Sequence, residues 1–211
     1  MTSRRKQAAA TLSPRDPIMH LPDEPAWRDW LHRNYATANG VWMQIAKKDA
    51  VTRSVTYREA LDIALCYGWI DAQKKPGAEN TWWQRFTPRR QTSIWSQANR
   101  ERVLELMAEG RLQPAGLKAV ERAKQNGRWE SAYDRASTAQ VPDDLAAHLR
   151  KRSRAGAFFE TLSSQNRYAI LFRLQTAKKP ETRLKRLAKF VEMLEKHETI
   201  HPQNSTKKRH Q

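Results

Sequence analysis

Strand-like alternation in this chain stops at Pro88, and from Ser96 onward apolar residues recur at helical spacing. Val41, Met43 and Ile45 alternate with Trp42, Gln44 and Ala46, and residues 68–72 and 81–87 are short β-prone runs. The two periods bury different faces, so separating them along the chain separates the architecture. The expected class is α+β: a small antiparallel sheet with flanking helices over residues 18–135, then an all-helical module over 141–200. The polar stretch 136–140 marks the boundary.

Local signals set the elements. Asp23 is an N-cap before Glu24 and Pro25, and Trp27, Trp30 and Leu31 give a helix over 24–34 one apolar face. Thr56-Tyr57-Arg58-Glu59 matches a capping box, followed by a helix with Leu61, Ala64 and Leu65 inward and a stop at Gly68. A loop of about seven residues carrying Pro76-Gly77 joins the next two strands, and Pro88, with no N–H to donate, ends the pairing. Ser96 caps a helix with Val103, Leu104 and Met107 inward, ending at Gly110. Pro114 opens another, with Leu117, Val120 and Ala123 or Lys124 in period and Gly127 as its end. Four helices follow, over 142–151, 155–162, 165–176 (capped by Ser164) and 181–196, the last with Leu184, Leu187, Val191 and Leu194 inward.

Several function classes lose their chemistry here. Seven glycines and no GxGxxG, P-loop, GxSxG or HExxH leave no phosphate-cradling loop or nucleophile elbow, so no cofactor and no catalytic residue is assigned. The single Cys66 excludes an internal disulfide and a CxxC pair, and its place at a helix end favours a buried thiol over a nucleophile. The spacing of His197 and His201 suits a metal, but at a fraying helix end the bland reading wins and no metal is expected. No apolar run is long enough to span a membrane. The N-terminal Ala8–Leu12 run is shorter than a secretory core, so residues 1–17 and 202–211 read as disordered basic ends of a cytoplasmic protein.

Charge is the strongest compositional fact. Lys and Arg number 39 against 22 Asp and Glu, a net +17, and residues 145–190 hold twelve of those bases against two acids. Such a field attracts polyanions without choosing among them, which leaves an anionic ligand, a nucleic acid or a protein as partner. In the C-terminal helices Phe158, Phe159, Tyr168 and Phe172 are either stacking groups for a nucleic acid or core. Trp82 and Trp83 are candidates for an apolar partner patch.

The densest cluster lies in residues 69–100. Trp69, Asp71, Arg85, Arg89, Arg90, Trp95, Asn99 and Arg100 are the candidate ligand-binding residues, with guanidinium forks for a carboxylate or phosphate and indole faces for stacking. The competing reading pairs Arg85 with Asp71 structurally and puts the tryptophans in the core. A third possibility is an enzyme acting on a small anionic substrate, with Asp71 and an arginine together in a pocket.

CYGWIDAQKK (66–75), RFTPRRQTSIWSQANRERVLELMAEGRLQPAGLKAVERAK (85–124), VPDDLAAHL (141–149) and FFETLSSQNRYAILFRLQTAKKPETRLKRL (158–187) resemble the bacterial YdeI or OmpD-associated family, the bacteriocin-protection proteins. The resemblance implies a role in tolerance of bacteriocins or cationic antimicrobial peptides and an outer-membrane porin association, and brings no catalytic residues. It assigns the C-terminal half to the helical module that names the family. Because a basic chain repels cationic peptides, protection is expected to be indirect, through a cytoplasmic stress response.

Overall fold

A computed structural model describes residues 16–203 except 49, 52 and 79. The disordered ends expected at 1–17 and 202–211 lie outside the described residues, apart from two positions at each. The chain divides into two compact units. One joins the chain up to Trp95 to Asn99–Ala132, and the other joins Ser96–Ala98 to the chain from Tyr133 onward.

The first unit is a four-stranded sheet under helices. In chain order its elements are β1 (Ile18–Met19), α1 (Glu24–Asn34), β2 (Val41–Ala46), α2 (Tyr57–Cys66), β3 (Trp69–Pro76), β4 (Thr81–Pro88), α3 (Gln97–Ala108) from Asn99 onward, and α4 (Pro114–Gln125). The strand order is β1-β2-β4-β3. β2 and β3 both pair antiparallel with β4, while the two-residue β1 adds a parallel edge to β2 that no periodic signal announced. The β3–β4 connection is shorter than expected, because β3 runs through Pro76 and leaves only residues 77–80 as loop.

The capping chemistry is local and forms as its residues dictate. The Asp23 carboxylate accepts from the Ala26 amide at 3.0 Å. Thr56 and Glu59 form the reciprocal capping box of α2. Gly68, Gly110 and Gly127, at φ +72°, +68° and +69°, end α2, α3 and α4.

The core lies between the helices and the sheet face carrying Val41, Met43, Ile45 and Phe86. Trp27 is its centre, fully buried, with ring centroids 5.4 Å from Trp30, 5.6 Å from Phe86 and 6.5 Å from Trp69. Its Nε1 donates to the Ala60 carbonyl at 3.0 Å, tying α1 to α2. Cys66 is fully buried in the same core, and desolvation pushes its thiol pKa up against the pull of Arg111, the opposite of what a nucleophile needs.

Three inward assignments are corrected. Leu104, Leu117 and Leu184 are exposed, at 47%, 39% and 63%. Leu106 is buried on α3, and Gly116 and Ala119 on α4. A 3.6 period admits two adjacent faces, and which one is covered depends on the partner element.

Gly116 matters most among the glycines, because a Cβ there would overlap the Cys66 carbonyl, which is backbone and cannot swing away. α4 therefore lies directly against the C-terminal turn of α2. Gly116→Ala should lower stability by about 1–3 kcal/mol by forcing the two helices apart, read as a shift in the denaturant midpoint at constant m-value.

The second unit is helical: α5 (Asp143–Lys151), α6 (Ser153–Glu160), α7 (Ser164–Gln175) and α8 (Pro180–Glu195). Ser163, not Ser164, caps α7, accepting from the Asn166 amide. Leu145, Phe159, Ile170, Leu174, Leu187 and Leu194 form its core. Asp144 on α5 takes both forks of Arg183 on α8, at 2.8 Å each. That bidentate bond and the Leu145 amide hold the Asp144 carboxyl below its usual range. A lowered carboxylate pKa adds stability that is present above the unfolded value and lost as pH falls through the folded one. Asp144→Asn should thus lower the melting temperature slightly at pH 7, a difference that shrinks as pH falls below the ordinary carboxylate range. The pair is partly exposed, so the difference should stay below about 1 kcal/mol.

Candidate functional site

The eight residues singled out in the sequence divide into two groups. Trp69 is buried in the core and donates from Nε1 to the Tyr35 carbonyl. Asp71 stands opposite Phe86, whereas Arg85 stands opposite Trp42, so the two alternate to opposite faces of the sheet. The expected Asp71–Arg85 pairing does not form: Asp71 accepts from the Tyr57 hydroxyl at 2.8 Å, and Arg85 pairs with Asp16 at 2.7 Å. Arg100 donates to the Trp129 carbonyl, and neither it nor Asn99 lines a cleft with the others. Trp82 and Trp83 likewise point to opposite faces, each half-buried, so they do not form one apolar patch.

Arg89, Arg90 and Trp95 do converge, in a small cleft that opens to solvent. Its first wall is the turn after β4. The Arg90 amide donates to Ser93 Oγ and the Ser93 amide to the Arg90 carbonyl, both at 3.0 Å, closing residues 90–93 from each end. Behind it, the buried Arg89 guanidinium stacks on Trp95 at 3.6 Å and donates to the Ile94 carbonyl.

The second wall is the end of α4, which sequence reasoning missed: Arg122, Asn126 and Arg128. Gly68 brings the walls together. Its carbonyl accepts from the Arg89 amide at 2.9 Å, and its Cα lies so close to α4 that a Cβ would come within 2.8 Å of the Ala115 carbonyl. Arg122 then donates to the Arg89 carbonyl at 3.0 Å, and Asn126 Nδ2 reaches the Gln91 carbonyl at 3.4 Å. The only sequence signal was Gly127, which ends α4 and so fixes where Asn126 and Arg128 stand.

Four arginines line this cleft, and no carboxylate does among the described residues. Arg128 Nη1 is buried and donates to nothing among the described residues. The negative end of the α4 dipole would oppose an anion, but its last carbonyls are engaged. Ala123 accepts from the Arg128 and Trp129 amides, Lys124 from Gly127, and Arg122 from Asn126. Four full positive charges outweigh what remains.

A roomier cleft, of about 100 Å³, lies elsewhere in the first unit between His20, Gln44, Arg53 and Thr81. It holds one arginine, and Gln44, Thr81 and Ser54 already bond to neighbours. Size favours this second cleft and chemistry the first. Among the described residues no group of three or more His, Cys, Asp or Glu could hold a metal, and no helix is long and apolar enough to cross a membrane.

Residues 19–119 match the family model described as a domain of unknown function, DUF8412. Residues 138–197 match the model described as bacteriocin-protection, YdeI or OmpD-associated. The resemblance quoted from residues 66–75 and most of 85–124 thus falls in the stretch that matches the first model, and that from 141–149 and 158–187 in the second. No curated protein and no solved structure matches the chain. The helical segment 138–197 is what this chain shares with the YdeI/OmpD-associated, bacteriocin-protection family.

Proposed function

We propose that this is a non-enzymatic cytoplasmic binding protein that holds a small anionic ligand between the turn after β4 and the end of α4. The observation that carries it is a cleft with four arginines and no carboxylate among its described lining residues. Asp71, the acid that a catalytic alternative needs, is bonded to Tyr57 and lies outside that lining. The single cysteine, buried and unpaired, suits a reducing compartment.

The family match supports a setting of bacteriocin or antimicrobial-peptide tolerance. A chain of net charge +17 repels cationic peptides, so protection would act indirectly, through a stress response that the ligand reports.

Nucleic-acid binding through the basic second unit has less geometric support. Arg152, Arg167 and Arg183 already pair with Glu195, Glu160 and Asp144, and Arg173 and Arg186 donate to backbone carbonyls. Phe159 is buried, and the Tyr168 hydroxyl is bonded to the Asp134 carbonyl.

Calorimetric titration with phosphate, sulfate and citrate at low ionic strength tests the proposal. One site should appear, weakened roughly ten- to a hundredfold by Arg122→Gln and unaffected by Lys185→Gln with Lys189→Gln. Equal loss in both variants, or no binding heat, would refute it.

A further inference from the structure

We propose that the same cleft recognises a terminal phosphomonoester, in preference to a carboxylate or a phosphodiester backbone. This rests on the anion-binding reading above and narrows it by charge, shape and size.

A carboxylate carries one charge and two coplanar oxygens, which a single guanidinium fork satisfies. Here Arg89, Arg90, Arg122 and Arg128 line one small space, more charge than a monoanion balances. A phosphomonoester near neutral pH brings close to two charges and three terminal oxygens. Its tetrahedral head can take donors from both walls at once.

The polar atoms that remain are mostly donors. Ser93 Oγ accepts from the Arg90 amide and keeps its own proton to give. The Asn126 carboxamide oxygen is already taken by the Arg128 amide at 3.2 Å. The buried Arg128 Nη1, with no acceptor among the described residues, keeps its N–H donors available.

Shape separates the two phosphate chemistries. The cleft is shallow and open on one side, which suits an end group that presents its oxygens to both walls. A phosphodiester has one charge and a substituent on each side, so it cannot enter end-on. This also distinguishes the cleft from a surface that tracks a nucleic-acid backbone.

The test is titration with methyl phosphate, malonate, and a short oligonucleotide carrying either a 5′-phosphate or a 5′-hydroxyl. Methyl phosphate should bind more tightly than malonate at pH 7.5. It should weaken roughly tenfold at pH 5, where its second ionisation, near pH 6, leaves about a tenth as dianion. The described cleft lining contains no histidine or carboxylate, so sulfate, a dianion at both pH values, should change far less.

Arg128→Gln should weaken methyl phosphate at least tenfold. Arg90→Gln, at an exposed position, should also weaken it without moving the melting temperature. If the 5′-phosphate oligonucleotide outbinds its 5′-hydroxyl twin, nucleic-acid ends are the source of the group. If the twins bind alike and more weakly than methyl phosphate, a small-molecule ester is.

Malonate binding as tightly as methyl phosphate, or the 5′-hydroxyl strand displacing methyl phosphate, would overturn the inference and leave the anion site standing. Absence of any anion binding would remove both.

Discussion

Asp62→Ala should lower the stability of the first unit by about 3 kcal/mol, the cost of leaving a largely buried guanidinium without its main partner. Arg102 on α3 donates to both oxygens of Asp62 on α2, from Nε at 2.8 Å and Nη2 at 2.7 Å, and the Asp62 side chain is only 8% exposed. Glu105 accepts from Arg102 at 2.6 Å and Glu109 lies 3.6 Å away, so some compensation survives and the loss belongs at the lower end of the range for broken buried pairs. Removing both charges, as Asp62→Ala with Arg102→Met, should recover much of it, since two apolar groups leave no desolvated charge behind. Chemical denaturation of the two single variants and the double variant checks this. A loss under about 1 kcal/mol for Asp62→Ala would show that solvent already screens the pair.

Trp27→Ala should be at least as damaging, at about 3–5 kcal/mol. The side chain is fully buried and contacts the rings of Trp30, Trp69 and Phe86, and its Nε1 satisfies the Ala60 carbonyl. Truncation opens a cavity and removes the second donor to the Ala60 carbonyl, which lies within α2, two losses that a Trp27→Phe variant separates by keeping most of the volume and losing only the N–H. Thermal unfolding of both variants should rank Trp27→Ala well below Trp27→Phe. Equal losses would assign the effect to the hydrogen bond alone.

What was legible in the sequence was the chemistry of neighbours. The Asp23 cap, the Thr56–Glu59 box, Pro114 opening α4 and the stops at Gly68, Gly110 and Gly127 each depend on residues a few positions apart. Segregation of strand and helix periods gave the α+β class for the same reason. What escaped was non-local. β1 is too short to show a period, and the β2–β4 pairing skips β3. Leu104, Leu117 and Leu184 lie exposed among the described residues, although their spacing fits a stripe.

The site divides along the same line. Arg89, Arg90 and Trp95 occupy one turn and were found by proximity. Arg122, Asn126 and Arg128 lie more than 25 positions further along the chain, and reach the turn because Gly68 and Gly116 let α4 press against α2. The attraction expected between Asp71 and Arg85 failed on strand parity: a one-residue offset in register sends two side chains to opposite faces.

A crystal structure of the protein grown with methyl phosphate addresses the arginine cleft most directly. Tetrahedral density should lie within hydrogen-bond reach of the Arg122 and Arg128 guanidinium groups, beside the turn of residues 90–93. Density absent there, with those two side chains splayed into solvent or each joined to an Asp or Glu, would contradict the site.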